Sequence, residues 1–270
     1  MRVAAIQLSS NADRERNLEV AGELVTEATA RGARLVVLPE VFNRRGSKEI
    51  QLQHQESLDG PTVAWMAETA RKHNVWLLGG SFMERREEHA PRGSNSSLLF
   101  GPDGYRVAHY RKVHLFDVEV HGVSTRESDA MVAGEQAVLA SVEGVKVGMT
   151  ICYDLRFPEL YRALTLAGAR VIAVPAAFTE RTGRDHWEVL LRARAIENQV
   201  FIIAPNQLGP AEGTQTCYGR SLIIDPWGIV LAQAPDRECC ILADLDFAAQ
   251  DAVRTGLPCL EHRREVAYTL

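Results

Sequence analysis

Cysteine is scarce, with five in 270 residues. Cys152, Cys217, Cys239, Cys240 and Cys259 fall at irregular spacings, an odd number with no CxxC framework. That argues against a disulfide scaffold and against a zinc ribbon, and a reducing cytoplasm is the expected location. Long apolar runs are missing as well. None approaches the roughly 18 residues that a membrane-spanning helix needs. The N-terminal MRVAAIQLSS is too briefly apolar for a signal peptide. Basic charge is not in excess. The formal net charge is −5, and the arginine pairs at 44–45, 85–86 and 263–264 are short and scattered, so a nucleic-acid partner is not expected. No GxGxxG or phosphate-binding loop follows the first apolar run, which argues against a nucleotide-binding protein. No linker rich in Gly, Ser or Pro interrupts the chain, so residues 1–270 are expected to form one domain.

What is present is the composition of a globular protein, 46% hydrophobic and 24% charged, with enough chain to bury a sizeable core. Strand and helix signals alternate. RVAAIQL reads as a strand. Residues 14–31 carry Leu18, Ala21, Leu24, Val25 and Ala28 on one helical stripe. RLVVL, residues 34–38, is a continuous apolar run, as expected of a strand buried on both faces. A helix is predicted from Pro61, well suited to a first helical position, to about His73, followed by a strand in VWLLGGSF. Hairpins are expected in NSSLLF–GPDG–YRVAHYRK, AVLASV–EG–VKVGMTIC and SLIID–PWG–IVLAQA, where Gly, Pro and Asp supply the turns. Between the last two hairpins lie a helix near 158–168, a strand at 170–174, a helix near 185–199 and the strand VFIIA.

One segment is written twice: GARLVVLPEVF at 32–42 and GARVIAVPAAF at 168–178. Each is preceded by a helix and followed by a loop, a helix, a strand and a hairpin. The duplication predicts two similar sheets, each covered by helices on one face and packed together by the other, an α/β four-layer α-β-β-α sandwich. Gly-Ala before a β-branched run is common, so spacing alone leaves coincidence as the alternative. The copies differ in kind at one place, where Glu40 stands against Ala176.

Three polar residues end apolar strands. Glu40 follows Pro39 at the end of a buried strand, where α/β scaffolds build their sites; a helix cap or surface acid is the alternative. Lys112 ends the second strand of the first hairpin, where a solvated edge lysine is the alternative. Cys152 ends VKVGMTIC directly before YDLRFPEL, a strand–turn–helix arrangement that exposes the sulfur near the positive end of a helix dipole. Both effects favour thiolate; a buried structural thiol is the alternative. Free thiol and free glutamate pKa values differ by about 4 units, roughly 5–6 kcal/mol against proton transfer. Burial raises a carboxyl pKa and an ammonium lowers a thiol pKa, so a dry pocket holding Glu, Lys and Cys suits acyl transfer.

LVVLPEVF, YRKVHLFD and GMTICYDLRFPEL, in that order and over nearly the full length, resemble the three motifs of the nitrilase, or carbon–nitrogen hydrolase, superfamily. That resemblance implies the same α-β-β-α fold. It implies Glu40 as general base and acid, Lys112 as oxyanion stabiliser beside the Tyr153 N–H, and Cys152 as nucleophile. A supporting glutamate is matched best by Glu127 in STRESDAMVAGE, with Glu119 and Glu135 as rivals. No metal or organic cofactor is implied, and His186 has no partners at metal-ligand spacing. The segment CYDLRFPELYRALTLAGA…PAAFTERTGRDHWEVLLRARAIENQ and the tail LPCLEHRREVAYTL are similar to the deaminated glutathione amidase and ω-amidase branch. Expected there is hydrolysis of a small carboxylated amide through a thioester, with release of ammonia. Arg156, Thr179 and Arg181 are the candidates for the substrate carboxylate. HWEVLLRARAIENQ is expected to be structural, its charges pairing along one helix face. An N-carbamoyl hydrolase, a nitrilase and a catalytically idle assembly module are the alternatives. The resemblance also implies a homodimer or higher homo-oligomer.

Overall fold

A computed structural model describes residues 1–120 and 122–268. One sheet holds strands Leu35–Val37 and Trp76–Leu78, parallel to Arg2–Gln7. Its remaining strands, Cys239–Asp244, Ser94–Phe100, Phe82–Glu84 and Arg106–Arg111, join in antiparallel pairs. The other sheet runs in the order Val230–Gln233, Leu222–Ile224, Phe201–Ala204, Val171–Ala173, Val145–Met149 and Val138–Val142. Its middle three strands are parallel, and the outer ones close it antiparallel.

Side-chain alternation along the strands builds the layers. Val3 and Ala5 of the first strand meet Val147, Met149, Val171 and Ile203 of the other sheet in a shared core. The intervening Ala4 and Ile6 face Ala21, Val25, Met66 and Ala70 on helices Arg14–Ala30 and Pro61–His73. In the second sheet, Ile172, Val174 and Ile202 likewise face Tyr161, Leu164, Leu191 and Ala195 on helices Pro158–Leu166 and Glu188–Asn198. The result is the expected α-β-β-α sandwich.

The two GAR segments are equivalent in space. Both glycines are left-handed, φ 87° at Gly32 and 103° at Gly168. Ala33 N–H donates to Ala28 O at 3.0 Å, and Ala169 N–H to Leu164 O at 3.0 Å. Arg34 and Arg170 each bridge to the neighbouring parallel strands, accepting from Trp76 N–H and Phe201 N–H. Matching backbone bonds at matching residues make coincidence untenable.

Several elements depart from the sequence reading. VWLLGGSF is two strands, because Gly80 (φ 51°) turns the chain where any Cβ would lie 1.9 Å from Pro39 O. The helix expected at 185–199 is regular only from Glu188 to Asn198, and a wider π-helical turn, Gly183–Trp187, precedes it. Strand Cys239–Asp244 and helix Phe247–Gly256 were not foreseen. That strand returns the C-terminal part of the chain to Arg2–Gln7, residue against residue from Arg2–Asp244 to Gln7–Cys239.

Candidate active site

The duplicated segments bring Glu40 and Ala177 face to face. Glu40 is only 3% exposed. Its Oε2 accepts the Ala177 N–H at 2.8 Å. Its Oε1 accepts from Asn95 Nδ2 at 2.8 Å and from Lys112 Nζ at 3.0 Å. The carboxylate of the first copy is therefore held by the backbone of the second, and a second carboxylate in place of Ala176 has no role in that arrangement. Val41, directly after it, is left-handed (φ 47°). Such a turn costs a branched residue about 1–3 kcal/mol, and Ser81 holds it by accepting the Val41 N–H at 3.0 Å.

Lys112 is 1% exposed. Its Nζ donates to Glu127 Oε1 at 2.9 Å as well as to Glu40. Glu127 Oε2 accepts the Phe116 N–H at 2.8 Å. Glu119 and Glu135, the two rivals, are exposed. Burial opposes the charge of Lys112, but Glu127, Glu40 and Cys152 outweigh it and hold the ammonium pKa well above its ordinary value. Burial pushes the Glu127 carboxyl up; Lys112 opposes and Glu40 adds to the rise.

Cys152 sits at a left-handed turn (φ 45°), its N–H donating to Pro175 O at 2.8 Å. The short turn Cys152–Arg156 then leads into helix Pro158–Leu166. No protein group among the described residues accepts the Tyr153 N–H. The influences that favour thiolate in the sequence are outweighed here. Burial pushes the Cys152 thiol well above its ordinary pKa, and Glu40 and Glu127 add to that while Lys112 opposes it. One ammonium beside two carboxylates does not supply a net positive field around the sulfur. A thiol with a raised pKa is mostly protonated near neutrality and ionises as pH rises. Alkylation of Cys152 by iodoacetamide should therefore climb steadily through about pH 9; a rate plateau already reached below pH 7 would contradict this.

The turn that carries Cys152 rests on Asp154, which is fully buried. Its Oδ2 accepts from Tyr110 Oη at 2.6 Å and Ile151 N–H at 2.8 Å. Its Oδ1 accepts from His114 N–H at 3.1 Å and lies 2.7 Å from His114 Nδ1. This joins the Lys motif to the Cys motif through one carboxylate. Asp154→Ala strips four polar groups of their partner. The expected loss is roughly 2–4 kcal/mol in chemical denaturation; unchanged stability would contradict the role given to this carboxylate.

A cavity of about 660 Å³ is lined by Glu40, Asn95, Glu127, Cys152, Tyr153, Arg156 and Thr179, among others. Lys112 lies behind this surface, in contact with the two glutamates. Of the three carboxylate-binding candidates, Arg156 and Thr179 reach the cavity and Arg181 does not; it is exposed on the short turn Glu180–Thr182. His186 lies 3.3 Å from Arg156 Nη1, and no group of metal-ligating side chains occurs among the described residues. In HWEVLLRARAIENQ, Arg194 pairs with Glu197 at 2.9 Å and donates to Leu155 O at 3.0 Å, a structural task. Asn95, Asp154 and the Ala177 N–H escaped the sequence reading. The only signal for Asn95 was an amide opening an otherwise buried strand.

Known proteins resemble this chain over nearly its full length. The carbon-nitrogen hydrolase family model matches residues 2–255. The deaminated glutathione amidase of Synechocystis sp. (strain PCC 6803 / GT-S) is 40% identical over 263 residues, covering 96% of this chain and 97% of its own. The omega-amidase of Mus musculus is 35% identical over 270 residues, covering 100% of this chain and 97% of its own. The crystal structure of the Caenorhabditis elegans NitFhit protein superposes with a TM-score of 0.94 at 36% identity, covering 99% of this chain. The present chain spans only 66% of that protein. The chain belongs to the carbon-nitrogen hydrolase family and is an amidase of that family.

Proposed function

We propose that the protein hydrolyses a small carboxylated amide, deaminated glutathione or a related α-keto acid ω-amide, through a thioester on Cys152. The observation that carries this is the cluster of Cys152, Glu40 and Glu127 at one cavity, with Lys112 bonded to both glutamates behind it. Cys152 Sγ attacks the amide carbon as Glu40 takes the thiol proton. The oxyanion is met by the Tyr153 N–H at the cavity and by Lys112 Nζ from behind it. Glu40 passes its proton to the departing nitrogen, and the C–N bond breaks. Water, deprotonated by Glu40, then attacks the thioester, and the returning proton restores the thiol. Glu127 fixes Lys112 by accepting from the same Nζ that donates to Glu40. Arg156 and Thr179 are placed to meet polar groups of the substrate.

The leaving amine depends on the amide. A primary ω-amide releases ammonia; deaminated glutathione, a secondary amide, releases a dipeptide amine instead. The test is therefore formation of the acid product from deaminated glutathione, α-ketoglutaramate, an N-carbamoyl amino acid, an aliphatic amide and a nitrile. Fast turnover of an α-keto amide supports the proposal. Preference for the carbamoyl compound or the nitrile moves the protein to another branch, and inactivity on all five leaves an assembly role. We place the protein in the cytoplasm, in keeping with its five free cysteines, as one domain acting in a homo-oligomer. A monomer mass by light scattering at micromolar concentration would overturn the last point.

A further inference from the structure

Arg45 is buried and has no counter-ion among the described residues. It is 2% exposed and lines the cavity that Glu40 and Cys152 line. Its Nη1 donates to Leu208 O at 3.2 Å, and its Nη2 to Gly209 O and, at 3.5 Å, to Gln215 O. These carbonyls orient the guanidinium and leave its charge uncompensated. Its Nε has no hydrogen-bond partner among the described residues. The nearby acid is Cys217, whose thiol burial pushes up to about 11, so it is neutral at pH 7 and supplies no negative charge.

The other cations at the cavity are differently placed. Lys48 pairs with Asp129 at 3.0 Å, and Arg126 lies 3.9 Å from the same carboxylate. Arg156 is half-buried, lies over the Phe178 ring at 5.2 Å and contacts His186. Arg45 alone among these is a fully buried, rigidly held charge without an anion. A buried unpaired guanidinium is costly, and an anionic ligand in the same cavity would remove that cost through charge-assisted bonds.

We propose that Arg45 is the anchor for the carboxylate on the acyl side of the scissile amide. This rests on the proposed substrate class. Deaminated glutathione and α-ketoglutaramate share the same α-keto acyl part, so one anchor serves both. The anchored carboxylate stays in place through the thioester stage, while the amine side leaves.

The test uses Cys152→Ala protein, which cannot turn substrate over, and calorimetric binding of two ligands. One is α-ketoglutaramate; the other is 4-oxopentanamide, its neutral analogue with methyl in place of carboxylate. Adding Arg45→Gln should weaken α-ketoglutaramate binding about tenfold or more while changing 4-oxopentanamide binding less than about threefold. Arg45→Lys, which retains charge without the planar fork, should recover part of the loss. Equal weakening of both ligands would show a merely structural role and overturn the anchor, as would no change in either. Failure of the Arg45-containing protein to bind α-ketoglutaramate would overturn the proposed substrate class itself, a distinct result. Melting temperatures of both variants, compared with the parent, separate loss of the anchor from loss of the fold.

Discussion

Cys152→Ala lowers kcat/KM by about a thousandfold or more, the expected scale for removing a covalent nucleophile, and leaves the fold intact. The fold is spared because groups other than the sulfur hold the turn. The turn is fixed by the Cys152 N–H on Pro175 O and by Asp154 on Ile151 N–H and Tyr110 Oη. Removing the sulfur also removes the strain of a larger side chain at φ 45° only in part, since alanine is still disfavoured there. Circular dichroism and melting should therefore match wild type while acid product disappears. Residual activity within tenfold of wild type would mean that another group carries out the attack.

Lys112→Met has the second large effect, and it strikes activity and stability together. Two carboxylates converge on one ammonium, with Glu40 at 3.0 Å and Glu127 at 2.9 Å. Methionine fills similar volume and leaves both carboxylates buried and facing each other. The expected loss of stability is roughly 3–5 kcal/mol at neutral pH. Loss of the oxyanion donor is expected to cost about 100- to 1000-fold in kcat. The sign with pH follows from Glu127, whose pKa is already raised in the folded protein by burial and by Glu40, against Lys112. Without Lys112 it rises further. A carboxyl with a raised folded pKa takes up a proton that the unfolded chain does not hold between about pH 4.3 and that raised value. The variant should therefore gain on wild type as pH falls through this window and lose ground as pH rises. Urea denaturation at pH 5 and pH 8 checks this; a gap that widens towards pH 5 would contradict the assignment of charges.

The sandwich was legible because both halves repeat one local grammar. GAR closes a helix, a β-branched run enters the sheet, and proline ends it before Phe42 or Phe178. Local signals of this kind need no knowledge of the partner strand. Strand Cys239–Asp244 escaped because CCILAD has neither clean alternation nor a hairpin mate nearby; its partner, Arg2–Gln7, lies over two hundred residues away. The same limit applies at the site. Glu40, Lys112 and Cys152 stand out as polar residues ending apolar strands. Asn95, Asp154 and Arg45 carry no such mark. Their importance lies in long-range contacts: Asn95 to Glu40, Asp154 to Tyr110 and His114, Arg45 to the 208–215 loop. The hold on the Cys152 proton was hidden for a related reason. Burial of the sulfur is the largest influence, followed by Glu40, Lys112 and Glu127, and none of these can be read from the local segment around Cys152.

The most direct measurement is partitioning by hydroxylamine. Two amides with the same α-keto acyl group but different leaving amines, α-ketoglutaramate and its N-methyl amide, are hydrolysed in the presence of hydroxylamine, and the ratio of hydroxamate to acid is measured. A thioester on Cys152 that has already lost its amine is common to both, so the two ratios must be equal at each hydroxylamine concentration. Ratios that differ with the leaving amine would mean that nucleophiles attack before the C–N bond breaks, and the acyl-enzyme mechanism would be wrong.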